Sequence, residues 1–365
     1  MKNHKKRSLL IASIGLFALC ISASVVSKIS SDNHFLNADA SGCTHSVVNH
    51  YEAVVPGELT AGHIEYWCCC ECHKSFSDAA CTMLIADTQT AGPLTKGDGR
   101  YIAPTLASID SADEFVRLMQ LFKAHPKATP FTGEFKLSTD INLSGKVING
   151  DGPNSAKILF NGTGNYARWG ATFDGDGHSI TGFNFAAAFT GFGMFGSIHS
   201  TGVVRNLVIK DMNFGWAGVN CYGSIFAWNN AGTIENCCVR GKILNKGVGN
   251  NIGNSLFASQ NEAGGTIVNS LGIDTSDTGP FTNVGVLAGN CATSAAQLVN
   301  STAISTKNPK VSNIAAAAGT AVAADATAVD TWYAGLSPEE KAALPLLSES
   351  GGLIYWGTMQ IGTVI

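Results

Sequence analysis

Asparagines at positions 206, 236, 269 and 300 are separated by 30, 33 and 31 residues, and this spacing constrains the fold more than any other feature of the chain. Each closes a similar passage: GMFGSIHSTGVVRNLVI (193–209), YGSIFAWNNAGTIENCCV (222–239), SLFASQNEAGGTIVNSLGI (255–273) and VGVLAGNCATSAAQLVNSTAI (284–304). In every copy a short run of small and apolar residues enters a loop of Gly, Ser, Asn or Thr. One or two apolar residues, the Asn and a strand-like end then follow. A unit of this length cannot bury its own apolar face, so it must rest on its neighbours, and such stacks need about three or more units.

The segments between turns are short and rich in Ile, Val, Leu, Phe and Thr, and the 41 glycines of the chain punctuate them. That is strand and turn chemistry. The expected fold is therefore mostly β, a right-handed parallel β-helix. A recurring Asn at one corner lets stacked amides bond from coil to coil, so Asn206, Asn236, Asn269 and Asn300 are read as a structural ladder.

Three runs resemble the GLUG-repeat family of bacterial surface proteins: Gly193-Met194-Phe195-Gly196, Gly232-Thr233-Ile234-Glu235-Asn236-Cys237-Cys238-Val239 and Gly265-Thr266-Ile267-Val268-Asn269-Ser270. The resemblance spans about residues 131–304. It implies a β-helical, largely non-catalytic extracellular segment.

At the N-terminus, Lys2, Lys5, Lys6 and Arg7 precede an uncharged run, SLLIASIGLFALCISASVV, with small residues at Ser22, Ala23, Ser24 and Ser27. A basic start followed by an apolar stretch is signal-peptide organisation, and an uncleaved anchor is the alternative. Loss of residues 1–27 removes four of 23 Lys and Arg, leaving 19 against 27 Asp and Glu. The resulting acidic surface, with no basic stripe, argues against nucleic acid as a partner. It argues equally against a membrane partner beyond the signal or anchor.

Residues 43–81 hold six of the eleven cysteines and four of the nine histidines. Cys43-x-His45 and Cys69-x-x-Cys72 form two short knuckles of the kind that supply four zinc ligands. The surrounding Gly62-His-Ile-Glu-Tyr-Trp67, with Lys74, Phe76, Ser77 and Asp78, resembles a small zinc-ribbon-like module found beside repeats in bacterial surface proteins. Glu58 stands where that module would carry a cysteine. The candidate ligands are Cys43, His45, Cys69 and Cys72, holding a structural zinc; disulfide pairing is the alternative in an exported chain. His50, His63 and His73 are read as surface residues.

Residues 82–104 read as a linker. Ser111-Ala-Asp-Glu114 then opens a helix with a capping box, and Phe115, Leu118, Met119 and Phe122 fall on one face. This helix is expected to cap the β-helix and to end near His125-Pro126. Further on, Asp174-Gly-Asp176-Gly-His178 tempts a catalytic or calcium reading, but carboxylates alternating with glycines are the chemistry of tight turns. No Gly-x-Ser-x-Gly elbow and no phosphate-binding loop is present. Cys237 and Cys238, as strand neighbours, are expected to face opposite ways, one inside and one outside, with Cys221 and Cys291 as stacking or pairing partners. Trp228, Asn229 and Asn230 are expected to face a partner.

The layout is a signal peptide (1–27), a linker (28–42), the Cys/His module (43–81), a linker (82–104), the capped β-helix (105–307) and an Ala-rich, helical C-terminal segment (308–365). In that last segment Ser337-Pro338-Glu339-Glu340 opens a helix and residues 353–357 add a strand. The expected function is non-catalytic adhesion or binding of an extracellular glycan or surface protein by a secreted or cell-surface protein. The rival class is a β-helical polysaccharide lyase or glycoside hydrolase.

Overall fold

The computed structural model describes residues 43–86, 88, 94–146, 167–182, 184–185, 193–214, 223–243, 254–277, 285–291, 297–307, 324–326 and 328–365. The signal-peptide region, Cys20, the first linker and Cys221 lie outside the described residues, as does the side chain of Cys291. Among the described residues, no helix is long and apolar enough to cross a membrane. The chain divides into two compact units, Met1–Ala103 and Pro104–Ile365.

The second unit is mostly β and forms a parallel solenoid of about four turns. Its first sheet runs through Ser108–Ile109, Glu134–Leu137, Thr172–Asp174, Val203–Arg205, Thr233–Glu235, Thr266–Val268 and Gln297–Val299, in that order. A second sheet runs from Ile141–Asn142 through Ser179–Thr181, Val208–Phe214, Cys238–Ile243, Leu271–Asp274 and Thr302–Ser305 to Ala324–Ala326. The third holds Ser197–Ile198, Ala227–Asn230, Ala258–Asn261 and Ala288–Cys291. Register follows the repeat: Val204, Ile234, Ile267 and Leu298 are successive partners in the first sheet and all are buried.

One aromatic per coil builds a spine through the interior. Trp169, Phe195, Phe226 and Phe257 lie with successive ring centroids 5.1, 5.2 and 5.5 Å apart. Such pairs add about 0.5–1.5 kcal/mol each beyond the area they bury. The spine begins at helix α1 (Ala112–Ala124), whose Phe122 meets Trp169 edge-on at 5.0 Å. Phe115, Leu118, Met119 and Phe122 are essentially fully buried, so the apolar stripe of α1 closes the end of the stack. A covered end cannot recruit further strands. The Ser111 hydroxyl caps the Glu114 N–H at 3.3 Å. The Glu114 carboxylate accepts from Asp110 N at 2.9 Å, one residue before the position a reciprocal capping box uses.

The C-terminal residues depart furthest from expectation. Residues 353–357 do form a strand, Leu353–Trp356, but it lies between Leu347–Ser350 and Met359–Thr363 in a separate antiparallel sheet. Together with helix α2 (Val329–Gly335) this sheet packs on the second solenoid sheet, while helix α3 (Pro338–Ala342) buries no residue. Trp356, Met359 and Leu344 form one buried cluster with Val208, Cys238, Leu271, Ile273 and Ile304. Alternate residues of those same solenoid strands, such as Ile209 and Val239, belong to the interior cluster. The second sheet is therefore apolar on both faces, and the chain covers the outer one itself. The Ser337 capping box is complete, with Ser337 and Glu340 bonding each other's backbone N–H.

In the first unit, Val48–Tyr51, Tyr66–Cys69 and Ser75–Phe76 form a three-stranded antiparallel sheet. The stretch read as a linker, 82–104, contributes to this unit. Tyr101–Ile102 pairs with Gly62–His63, and Arg100 forks onto Asp98 at 2.9 and 2.7 Å in a buried ion pair. Its guanidinium also lies over the Tyr66 ring and donates to Ser75 Oγ. A buried, hydrogen-bonded charge pair of this kind fixes the chain where composition alone suggested flexibility.

Candidate functional sites

The Cys/His cluster is assembled from two knuckles. Cys43 and His45 precede the first strand of the small sheet; Cys69 ends its middle strand, and Cys72 lies in the turn beyond. That turn closes through His73 N donating to Cys69 O and Cys69 N to Lys74 O, with His73 at φ 58. The Phe76 ring meets the His45 imidazole edge-on at 4.8 Å and helps to hold it.

The four ligand atoms all lie within 4.8 Å of one another. Cys43 Sγ is 3.5 Å from Cys69 Sγ and 3.4 Å from His45 Nδ1, and Cys72 Sγ is 3.7 Å from His45 Nδ1. Tetrahedral zinc with Zn–S near 2.3 Å and Zn–N near 2.1 Å places its ligand atoms roughly 3.6–3.8 Å apart, so the residues present are close enough to hold such an ion. The donor set, three sulfurs and one imidazole, suits the same metal.

Protons in the cluster are unevenly held. The His45 backbone hydrogen bond favours the Cys43 thiolate, but burial and the neighbouring Glu71, Cys69 and Cys72 outweigh it and raise the thiol to about 12. Burial opposes ionisation of Cys69, yet hydrogen bonds from the Cys72 backbone, His45, the Glu71 backbone and Cys43 lower it to about 7. Glu71 receives Cys43 Sγ at 3.2 Å and the Thr44 and Ser46 hydroxyls. Cys81 is buried beside the cluster, whereas His50 stacks on Trp67 and pairs with Glu65 at 2.7 Å.

The asparagine corner has a conformational reason as well as a bonding one. Asn206, Asn236, Asn269 and Asn300 have φ of 54, 53, 48 and 45°. The chain turns from the first sheet to the second through a left-handed residue, which Asn tolerates better than any other side chain. Asn236 Nδ2 donates to Asn206 Oδ1 at 3.3 Å, and Asn300 Nδ2 to Asn269 Oδ1 at 2.8 Å. Asn236 Oδ1 is buried without a partner among the described residues, so the ladder runs in two segments.

Asp174, read as a turn residue, also heads this ladder. Its carboxylate accepts from Asn206 Nδ2 at 2.9 Å, Arg205 Nε at 2.9 Å and Asp176 N at 3.0 Å. Burial opposes the charge, and those hydrogen bonds overcome it, holding the carboxyl below its ordinary value. Asp176 adopts φ 51 and pairs with Lys136 at 2.9 Å. His178 lies 3.5 Å from Asp140, whose Oδ1 also accepts from Ser179 N and Thr358 Oγ1.

Two further rungs were not anticipated. Asn229 and Asn230, expected to face a partner, are 8% and 0% exposed. Asn230 Nδ2 bonds Asn261 Oδ1 at 2.8 Å, and Asn230 Oδ1 accepts from Gly232 N, a second amide ladder inside a corner. The 31-residue spacing of Asn230 and Asn261 was the available signal. Trp228 is half-buried, and its Nε1 is buried with no partner among the described residues.

Directly after the first ladder, Cys237 N donates to Ser270 Oγ and Ser270 N to Ser301 Oγ. Cys237 therefore occupies a serine-type rung. Cys237 and Cys238 face opposite sides of their sheet, as expected of strand neighbours, but both are fully buried free thiols, so neither is exposed. Cys238 does face the outer side of its sheet, but the C-terminal residues cover it. Burial raises both thiols.

These features define a parallel β-solenoid protein with a four-residue Cys/His cluster close enough to hold a metal ion. Comparison with protein-family models and with curated proteins returns no match. Among solved structures, a protein from Bacteroides ovatus described as a "putative immunoglobulin A1 protease" is similar at 17% identity. The match covers 67% of this chain and 89% of that one with a TM-score of 0.35, and it carries no argument about activity.

Proposed function

We propose that the chain is a bacterial secreted or cell-surface repeat protein of the GLUG type that binds an extracellular glycan or surface protein without catalysis. The observation that carries this reading is how the carboxylates of the Asp174-Gly-Asp176-Gly-His178 turn and the neighbouring Asp140 are used. Asp174 is committed to the amide ladder and its own turn, Asp176 to Lys136, and Asp140 to Ser179 and the C-terminal residues. A paired-acid hydrolase needs one carboxyl free to protonate a leaving group and a second free to attack or to activate water. The GLUG-like runs and the signal-like N-terminus point the same way.

Screening the full chain against immobilised glycans and mucins tests the reading. Saturable retention is expected, and absence of retention on every surface overturns it.

For the first unit we infer a structural zinc held by Cys43, His45, Cys69 and Cys72. A closed set of four protein ligands leaves no position for a reacting water, so the ion would supply fold stability. Binding requires the Cys43 proton to leave, which couples loading to pH.

A further inference from the structure

The strand Val208–Phe214 contains an irregularity with a consequence for binding. Its register against Cys238–Ile243 shifts between Ile209 and Met212, and Asp211 sits at φ 59. Bulges of this kind re-aim side chains, and a left-handed non-glycine residue carries strain that concentrates at binding sites. Here the shift sets Lys210 and Asp211 in the wall of an open cleft of about 450 Å³. That size lies within the range of small-ligand sites.

The opposite wall is the strand Met359–Thr363, the last strand of its sheet, so its outer backbone groups face no neighbouring strand among the described residues. Arg240 bridges the two walls. Its Nε and Nη2 bond Asp211 Oδ1 at 3.1 and 2.8 Å, and its Nη1 bonds Gln360 O at 3.1 Å. Lys210 has no ion-pair partner among the described residues, although the neighbouring cations Arg240 and Lys242 each have one. Lys210 and Arg240 stand against Asp211 in the wall, and Asp140, bonded to Thr358 Oγ1, acts on Lys210 from beside the cleft, so cations and carboxylates stand side by side there.

We propose that this cleft binds an acidic sugar unit of a glycan, an assignment that rests on the glycan-binding reading above. Lys210 takes the sugar carboxylate, Asp211 accepts from hydroxyls, and backbone groups of residues 360–363 supply the remaining polar contacts. A cation beside a carboxylate matches a ligand that carries an acid and hydroxyls together. An acidic peptide adding as a strand needs a continuous free edge, and the Arg240 contact to Gln360 O interrupts this one.

Calorimetric titration of the full chain with trigalacturonate and with neutral maltotriose tests the assignment. Trigalacturonate is expected to bind and maltotriose to bind at least about tenfold more weakly. Lys210→Gln is expected to weaken trigalacturonate about tenfold at an unchanged melting temperature, the scale of losing one charged hydrogen bond. Lys210→Arg is expected to restore most of the affinity. Unchanged affinity in Lys210→Gln, or hexaglutamate binding as tightly as trigalacturonate, overturns the assignment and leaves the general glycan reading standing. Failure of both sugars here, with retention on other glycans in the screen, likewise overturns only the acidic-sugar site; failure on every surface removes both.

Discussion

Trp356 and Asn236 stand 120 residues apart, yet the indole Nε1 donates to the Asn236 carbonyl at 3.3 Å. A ladder residue of the solenoid is thus tied to the segment that covers the outer face of its second sheet. Neighbouring bonds repeat the attachment: Thr358 N to Gly177 O at 2.9 Å, Thr358 Oγ1 to Asp140 Oδ1, and Arg240 to Gln360 O. Gly177, at φ 81, lies where Gly357 comes against it, and a side chain at Gly357 would strike the Gly177 carbonyl.

Trp356→Ala removes a fully buried indole from this junction. Truncations of this kind cost about 3–5 kcal/mol, here charged to docking of the C-terminal residues. Cys238 reports the result: alkylation under native conditions is expected to change from undetectable to measurable, while Cys237, inside the coil, stays protected. Equal protection of both thiols in the variant contradicts the docking.

Asn206→Ala combines two losses, the left-handed backbone preference and the amide bonds to Asp174 and Asn236. A cost of about 2–3 kcal/mol is expected from chemical denaturation, combining about 1–2 for backbone and about 1 for hydrogen bonding. Asn206→Gly restores the backbone freedom and is expected to recover part of the loss. If glycine is no better than alanine, conformation is not the reason for asparagine here.

Acid sensitivity follows from Asp174. Its folded value lies below the ordinary 3.8, so its stabilising contribution is present above that value and disappears as pH falls through the folded value. Melting temperature followed downward from pH 5 is expected to fall less steeply in Asp174→Asn than in the parent. Parallel curves contradict the assignment.

The zinc inference is read by elemental analysis of reduced protein and by the melting of each unit. About one equivalent is expected. Cys69→Ser is expected to destabilise the Cys/His unit and to leave unfolding of the solenoid unit unchanged. Less than a tenth of an equivalent in the parent removes the metal.

Periodic features were the ones legible in the sequence. Asn206, Asn236, Asn269 and Asn300 mark a corner because every coil must turn there, so one physical demand writes one residue four times. Phe195, Phe226 and Phe257 recur for the same reason, though their role as an interior spine emerged only in the structure, and the α1 stripe shows through its 3.6-residue spacing. Unrepeated contacts left no such mark. Nothing local distinguishes Cys238 from an outward-facing strand residue, because its cover arrives from Trp356 and Met359. Asn230 looked like a surface residue because a buried amide is legible only through the partner that satisfies it, here Asn261. Asp98 and Arg100 sat among glycine and threonine that mimic a linker, and only their pairing against Tyr66 and Ser75 fixes them.

The central claim, binding without catalysis, is tested most directly by mass analysis of glycan recovered after prolonged incubation with the full chain, with and without calcium. Every retained glycan is predicted to return at its intact mass. Shortened chains or unsaturated ends, lost in Asp174→Ala, would contradict the account.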